Sequence, residues 1–223
     1  MTDELIRAVA QADTPANMVT AVQNLAAAKD VAAIPTLIAV FGYNNPSAAT
    51  VAVAALTEMG EIAVPQLLSQ IDDYNYGARA YSIRTLAAIA DPRAIDVLIT
   101  AAATDFAPSV RRAAAKGLGN LNWHKLDSAD RETALNKALE TLLFISQDSE
   151  WSIRYAAVVG LQALAKIPDL QQPIQTRFDQ MLATDDEKAI RARVQVAVWI
   201  SEKWTVISYQ GLISVFQAIW CSE

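Results

Sequence analysis

One register, repeated four times, limits what this chain can fold into. An Asp stands six residues ahead of an Arg at Asp73 and Arg79, Asp105 and Arg111, Asp148 and Arg154, and Asp185 and Arg191. After each Arg a compact or branched residue follows at the third position and Leu or Val at the seventh: Ser82 and Leu86, Ala114 and Leu118, Ala157 and Leu161, Val194 and Val198. Positions i, i+3 and i+7 share one face of an α-helix. Six residues exceed the reach of helical neighbours, so each Asp belongs to a turn and each Arg to the helix that follows. Ahead of each turn lies another apolar helical pattern, as in "AIDVLITAAATDFAPSVRRAAAKGLGNL". A helix pair of about thirty residues that recurs and cannot bury its apolar face alone is the signature of an α-solenoid. The expectation is an all-α chain of HEAT-like helix-turn-helix repeats in a curved right-handed array. It fills residues 1–203 with about five to six units, leaving 204–223 as an apolar C-terminal helix or tail.

The units are not identical. "DTPANMVTAVQNLAAA" reads as a degenerate first unit, with Asp13 or Thr14 as cap and Pro15 at the first helical position. In "GYNNPSAAT", Tyr43 and Ala49 occupy the positions of the Asp and Arg. The longest interruption, "NWHKLDSADRETALNK", falls between Arg111 and Arg154 and predicts a specialised loop. In "DDYNYGARAYSIR", Tyr74 and Tyr76 are larger than a turn requires; they pack on a neighbouring repeat or face something outside the chain.

Composition excludes several classes of function. With a formal net charge of −6, the chain lacks the broad basic surface that phosphate neutralisation requires, so nucleic acid is not an expected partner. The single His rules out metal sites built from several histidines, and no phosphate-binding glycine loop or nucleophile elbow occurs. The only Cys, Cys221, is third from the end, where a nucleophile would lack supporting groups. "WTVISYQGLISVFQAIW" is uncharged, but its two Gln, two Ser, Thr and Gly and its length fall short of the roughly 20 apolar residues of a membrane span. It reads as a helix that covers the core or meets a partner. "MTDELIRAVAQAD" has no signal-peptide pattern, which leads to a cytoplasmic expectation.

The stretches "AVQNLAAAKDVAAIPTLIAVFGYNNPSAA", "YNYGARAYSIR" and "GLGNLNWH" resemble the F-type subunits of heterodimeric E/F-type phycocyanobilin lyases. The resemblance runs over about residues 1–200, and nothing family-like follows Ser201. It implies a cyanobacterial cytosolic protein, working free in the cytosol or near the thylakoid surface, that pairs with an E-type subunit. Together the two would attach phycocyanobilin through a thioether to a cysteine of the apo-phycocyanin α subunit. The bilin would be a transferred substrate and not a permanently bound cofactor. The other readings are a non-catalytic HEAT-like adaptor for phycobiliproteins during antenna assembly or turnover, and a generic scaffold.

The resemblance gives the aromatic residues candidate roles. Tyr74 and Tyr76 would pack on or hydrogen-bond the tetrapyrrole, and Arg79 would either grip a propionate or serve the structural ladder of Asp73, Asp105, Arg111, Asp148, Arg154, Asp185 and Arg191. Trp123 and His124 are further bilin-binding candidates, with His124 the one candidate acid or hydrogen-bond donor, set against a solvated loop histidine. A related enzyme that isomerises the bilin has a His-Cys pair in this neighbourhood, whereas "NWHKLD" has no Cys; attachment without isomerisation is expected. Trp151 and Tyr155 are assigned to packing or a partner interface.

Overall fold

The computed structural model describes residues 1–71 and 75–200. Asp73, Tyr74, the tail 204–223 and Cys221 lie outside the described residues. Within them the regular structure is entirely helical, arranged as six consecutive helix pairs. The first helices of the pairs are α1 (Thr2–Ala10), α3 (Ile34–Ala39), α5 (Val64–Ser69), α7 (Ile95–Thr104), α9 (Ser128–Ile145) and α11 (Gln171–Thr184). The second helices are α2 (Pro15–Ala27), α4 (Pro46–Met59), α6 (Tyr76–Ile89), α8 (Pro108–Gly119), α10 (Trp151–Leu164) and α12, helical over 188–200. None of the described helices is long and apolar enough to cross a membrane.

Local chemistry sets the helix starts. Thr14 accepts a hydrogen bond from Asn17 N with Pro15 at the first position of α2, as the sequence predicts. Asn45, Asn75 and Asp127 cap α4, α6 and α9 in the same way. The template positions Ser82, Leu86, Ala114, Leu118, Ala157, Leu161 and Val194 are buried and form the stripe that each second helix turns to the core. Each buried leucine contributes about 1.5–3 kcal/mol.

Second helices pack directly on one another, α4 to α6 to α8 to α10. Small residues make this possible. A Cβ on Gly117 would lie 2.5 Å from Ala87 Cβ, and one on Gly119 would lie 2.3 Å from Gly160 O. Such close approach makes the second-helix layer the shorter, inner arc of the array.

The long interruption after Arg111 is mostly helix. Residues 120–127 hold a single 3₁₀ turn, Trp123–Lys125, and α9 then starts at Ser128 on its Asp127 cap. The wider repeat spacing therefore comes from α9, 18 residues long against 10 in α7. The specialised loop is shorter than the sequence predicts because "SADRETALNK" has an N-terminal cap and strong helix formers.

Candidate functional site

The Asp and Arg of the recurring register do not simply pair within one unit. Arg79, Arg111 and Arg154 each reach the Asp of the next. Arg79 Nε lies 2.8 Å from Asp105 Oδ2, Arg111 Nη2 2.6 Å from Asp148 Oδ2, and Arg154 Nε and Nη2 both 2.8 Å from the two oxygens of Asp185. Two of the arginines, and Arg191, also donate to carbonyls close by in their own repeat: Arg111 to Ala102 O, Arg154 to Asp148 O and Arg191 to Asp185 O. Each Asp accepts in addition from the backbone N–H two residues on, at Ala107, Glu150 and Glu187. Burial pushes the Asp185 carboxyl up, but Arg154 and the Glu187 N–H outweigh it and hold it below its ordinary value. Ala49 has no guanidinium to offer, so among the described residues the ladder begins at Arg79.

Tyr76 stands beside the first rung. Its hydroxyl is 2.8 Å from Ser109 Oγ on α8, and its ring lies 5.7 Å from that of Phe106, which is 76% exposed. The Arg79 guanidinium sits 5.0 Å from the Phe106 centroid while its side chain is only 10% exposed. Arg79 is thus covered by an aromatic ring and bound to a carboxylate, so little of its charge faces outward. Phe106 was not singled out from the sequence, although it directly follows the ladder residue Asp105.

Trp123 and His124 lie elsewhere. Tyr76 and Arg79 are at the start of α6, beside the start of α8, whereas Trp123 follows the end of α8. The 12 residues of α8 span about 18 Å, so the structure does not gather the four described bilin-binding candidates, Tyr76, Arg79, Trp123 and His124, into one site. It forms two centres, at opposite ends of the inner helices.

The second centre is a cleft of about 490 Å³, lined among others by Leu121, Trp123, His124, Arg131, Lys166 and Ile167. That volume falls in the range of small-molecule sites. His124 and Lys166 are exposed at it, while Trp123 is buried. Among the described residues the buried Trp123 indole Nε1 has no hydrogen-bond partner, an arrangement with a cost unless an acceptor arrives.

The loop bearing Trp123 is held from several directions. Arg131 donates to Trp123 O at 2.9 Å and Leu126 O at 2.8 Å, and Asn122 N donates to Ala90 O at 2.8 Å. Lys125 bridges Glu61 at 2.8 Å and Asp91 at 3.3 Å. Hydrogen bonds from Arg93 hold the Asp91 carboxyl down to about 2, so this anchor stays charged at neutral pH. Arg131 and Lys166 were missed in the sequence because their roles depend on which loops meet. Trp151 is half exposed at its turn, and Tyr155 packs under Arg193, whose Cζ is 5.8 Å from the ring.

A HEAT-repeat family matches residues 64–162. The chain is 77% identical over 197 residues to "Phycocyanobilin lyase subunit beta" of Nostoc sp. (strain PCC 7120), covering 88% of this chain and 98% of that one. It is 44% identical to "Phycocyanin alpha phycocyanobilin lyase CpcF" of Synechocystis sp. (strain PCC 6803), over 86% of this chain and 90% of the relative. A solved complex of CpcE and CpcF of phycocyanin lyase from Nostoc sp. PCC 7120 contains a chain that matches with a TM-score of 0.74 and 79% identity, covering 75% of this chain and 99% of that one.

Proposed function

Because this chain belongs to the phycocyanobilin lyase subunit beta family, we propose that it is one half of a heterodimeric bilin lyase, which with an E-type partner attaches phycocyanobilin to a cysteine of the phycocyanin α subunit in the cytoplasm. The observation that carries this reading is 77% identity across 98% of a lyase β subunit. The reaction adds the acceptor thiol across the ethylidene double bond of the bilin: the S–C bond forms, the thiol proton ends on the ring side of that double bond, and nothing leaves. Thiol and electrophile both come from substrates, so the enzyme's task is to hold a flexible tetrapyrrole in one conformation beside the thiol.

The residues suit that task. The Trp123 Nε1 can donate to a lactam carbonyl, and exposed His124 stands close enough in the chain to supply a second donor or an acid. The anchors on Asp91, Glu61 and Arg131 keep these groups fixed while the bilin is loose. Tyr76 and Phe106 form a separate aromatic surface on the turn edge, suited to the protein substrate or the partner subunit. No Cys stands beside His124, so attachment proceeds without isomerisation of the bilin.

The test is co-expression with the E-type partner, apo-phycocyanin α and a source of phycocyanobilin, read by pigment fluorescence on a denaturing gel. Covalent, fluorescent α subunit is expected only when both lyase subunits are present. Equal labelling without this chain would refute the proposal and favour the adaptor reading.

A further inference from the structure

The chain is acidic overall, yet its inner layer is not. Helices α6, α8, α10 and α12 carry Arg79, Arg84, Arg111, Arg112, Lys116, Arg154, Lys188, Arg191 and Arg193, and not one Asp or Glu. Among the described residues the carboxylates sit on the first helices and in the turns, apart from Glu58 near the end of α4, which pairs with Lys29. Three of these cations, Arg79, Arg111 and Arg154, are neutralised by ladder aspartates. Arg84 and Lys116 are exposed, and among the described residues neither pairs with a carboxylate. Arg112 is half-buried beside them and donates to Ser152 Oγ at 3.0 Å.

These cations share a register. Arg84 and Lys116 each stand five residues beyond a ladder arginine, so they occupy equivalent positions on adjacent inner helices. Those helices almost touch, since a Cβ on Gly117 would lie 2.5 Å from Ala87 Cβ, and axes this close are roughly 8 Å apart. Arg112, Lys116 and Asn120 follow one another at i, i+4 and i+8 along α8, and Asn120 lines the Trp123 cleft. The Arg84 guanidinium lies 5.6 Å from the Tyr81 ring, which adds an aromatic surface beside the charge.

We propose that Arg84 and Lys116, with Arg112 beside them, clamp the two propionate carboxylates of the bilin on the inner face of α6 and α8, with one end of the tetrapyrrole reaching down α8 to the Trp123 cleft. The inference rests on the bilin-lyase reading and assigns the anionic end of that substrate. Arg79 is excluded from the role because Asp105 already holds its guanidinium. A local positive field is also what a chain of net charge −6 requires before a dianionic ligand can approach. The double bond that reacts is on a terminal ring, so anchoring the central propionates leaves it free to meet the thiol.

The test compares phycocyanobilin with its dimethyl ester, titrated into the purified heterodimer and followed by absorbance. The parent should bind the free acid at least about tenfold more tightly than the ester. In Arg84→Gln/Lys116→Gln the acid should fall to the ester's affinity, the ester should bind as before, and the heterodimer should form with an unchanged melting temperature. If the parent binds acid and ester equally, the clamp is wrong and the lyase reading stands. Equal loss of acid and ester in the variant, or loss of the heterodimer, also overturns it, the latter by marking this face as the partner's. If the parent binds neither ligand, the lyase reading fails along with the clamp.

Discussion

At the scale of single residues, Tyr76 and Arg79 differ most in what their loss should do. Arg79 belongs to a mostly buried ion pair, and cutting a buried pair on one side costs about 3–5 kcal/mol because the partner charge is left behind. Arg79→Ala should therefore lower the melting temperature by many degrees while sparing bilin transfer per folded complex. Tyr76→Phe removes one exposed hydroxyl bond to Ser109, worth about 0.5–1 kcal/mol. Its stability should barely move. Thermal melts and transfer rates for both variants check this, and an Arg79→Ala protein as stable as its parent but inactive would put Arg79 in the site. The sequence revealed that these residues matter but not what they touch. A register says that Arg79 lies on a helix after a turn, whereas its partner Asp105 lies in the next repeat. The pairing of repeats is decided by packing, which no local spacing records.

At the scale of elements, the Ala-rich second helices were legible as closely packed, and the glycines show how closely. Gly160→Ala would gain about 1 kcal/mol in helix propensity. Against that, its Cβ would lie 2.6 Å from Ala115 O and 2.8 Å from Leu142 Cδ2. A backbone oxygen cannot swing aside, so the helices must part, and overpacking of this kind costs typically 1–3 kcal/mol. The net effect should be destabilising. Gly77→Ala is the contrast, since its Cβ would meet only Asn75 Oδ1, at 3.5 Å, in ordinary contact. That variant should be neutral or up to about 1 kcal/mol more stable, as urea titration of both will show. The length of α9 was less legible. Its widened spacing was read as a loop because the polar run "DSADRE" interrupts the apolar pattern, yet the Asp127 cap makes that run the first turns of a helix. The cleft behind it needed the segments that follow α8 and α10 to meet the start of α9, so only Trp123 and His124 stood out beforehand.

At the scale of the whole molecule, a repeat array gains stability from each unit and from each contact between neighbours, so the place of a break matters as much as its size. The inner contact between α8 and α10 lies mid-array, where Gly119 faces Gly160 O at a distance that leaves no room for a side chain. The rung from Arg154 to Asp185 joins α10 to the last described pair. Gly119→Val should uncouple the two halves. Its urea unfolding should spread into two transitions, each with a smaller slope than the parent's single one, because each half exposes less surface than the whole. Arg154→Ala should instead loosen only α11 and α12. The main transition should then keep most of its slope, and faster amide hydrogen exchange should be confined to residues beyond Thr184 and along α11. Equal effects of the two variants on slope and exchange would mean that the array unfolds as one cooperative block. The clamp on the inner face would then be held rigid from both ends, and not by its nearest neighbours alone.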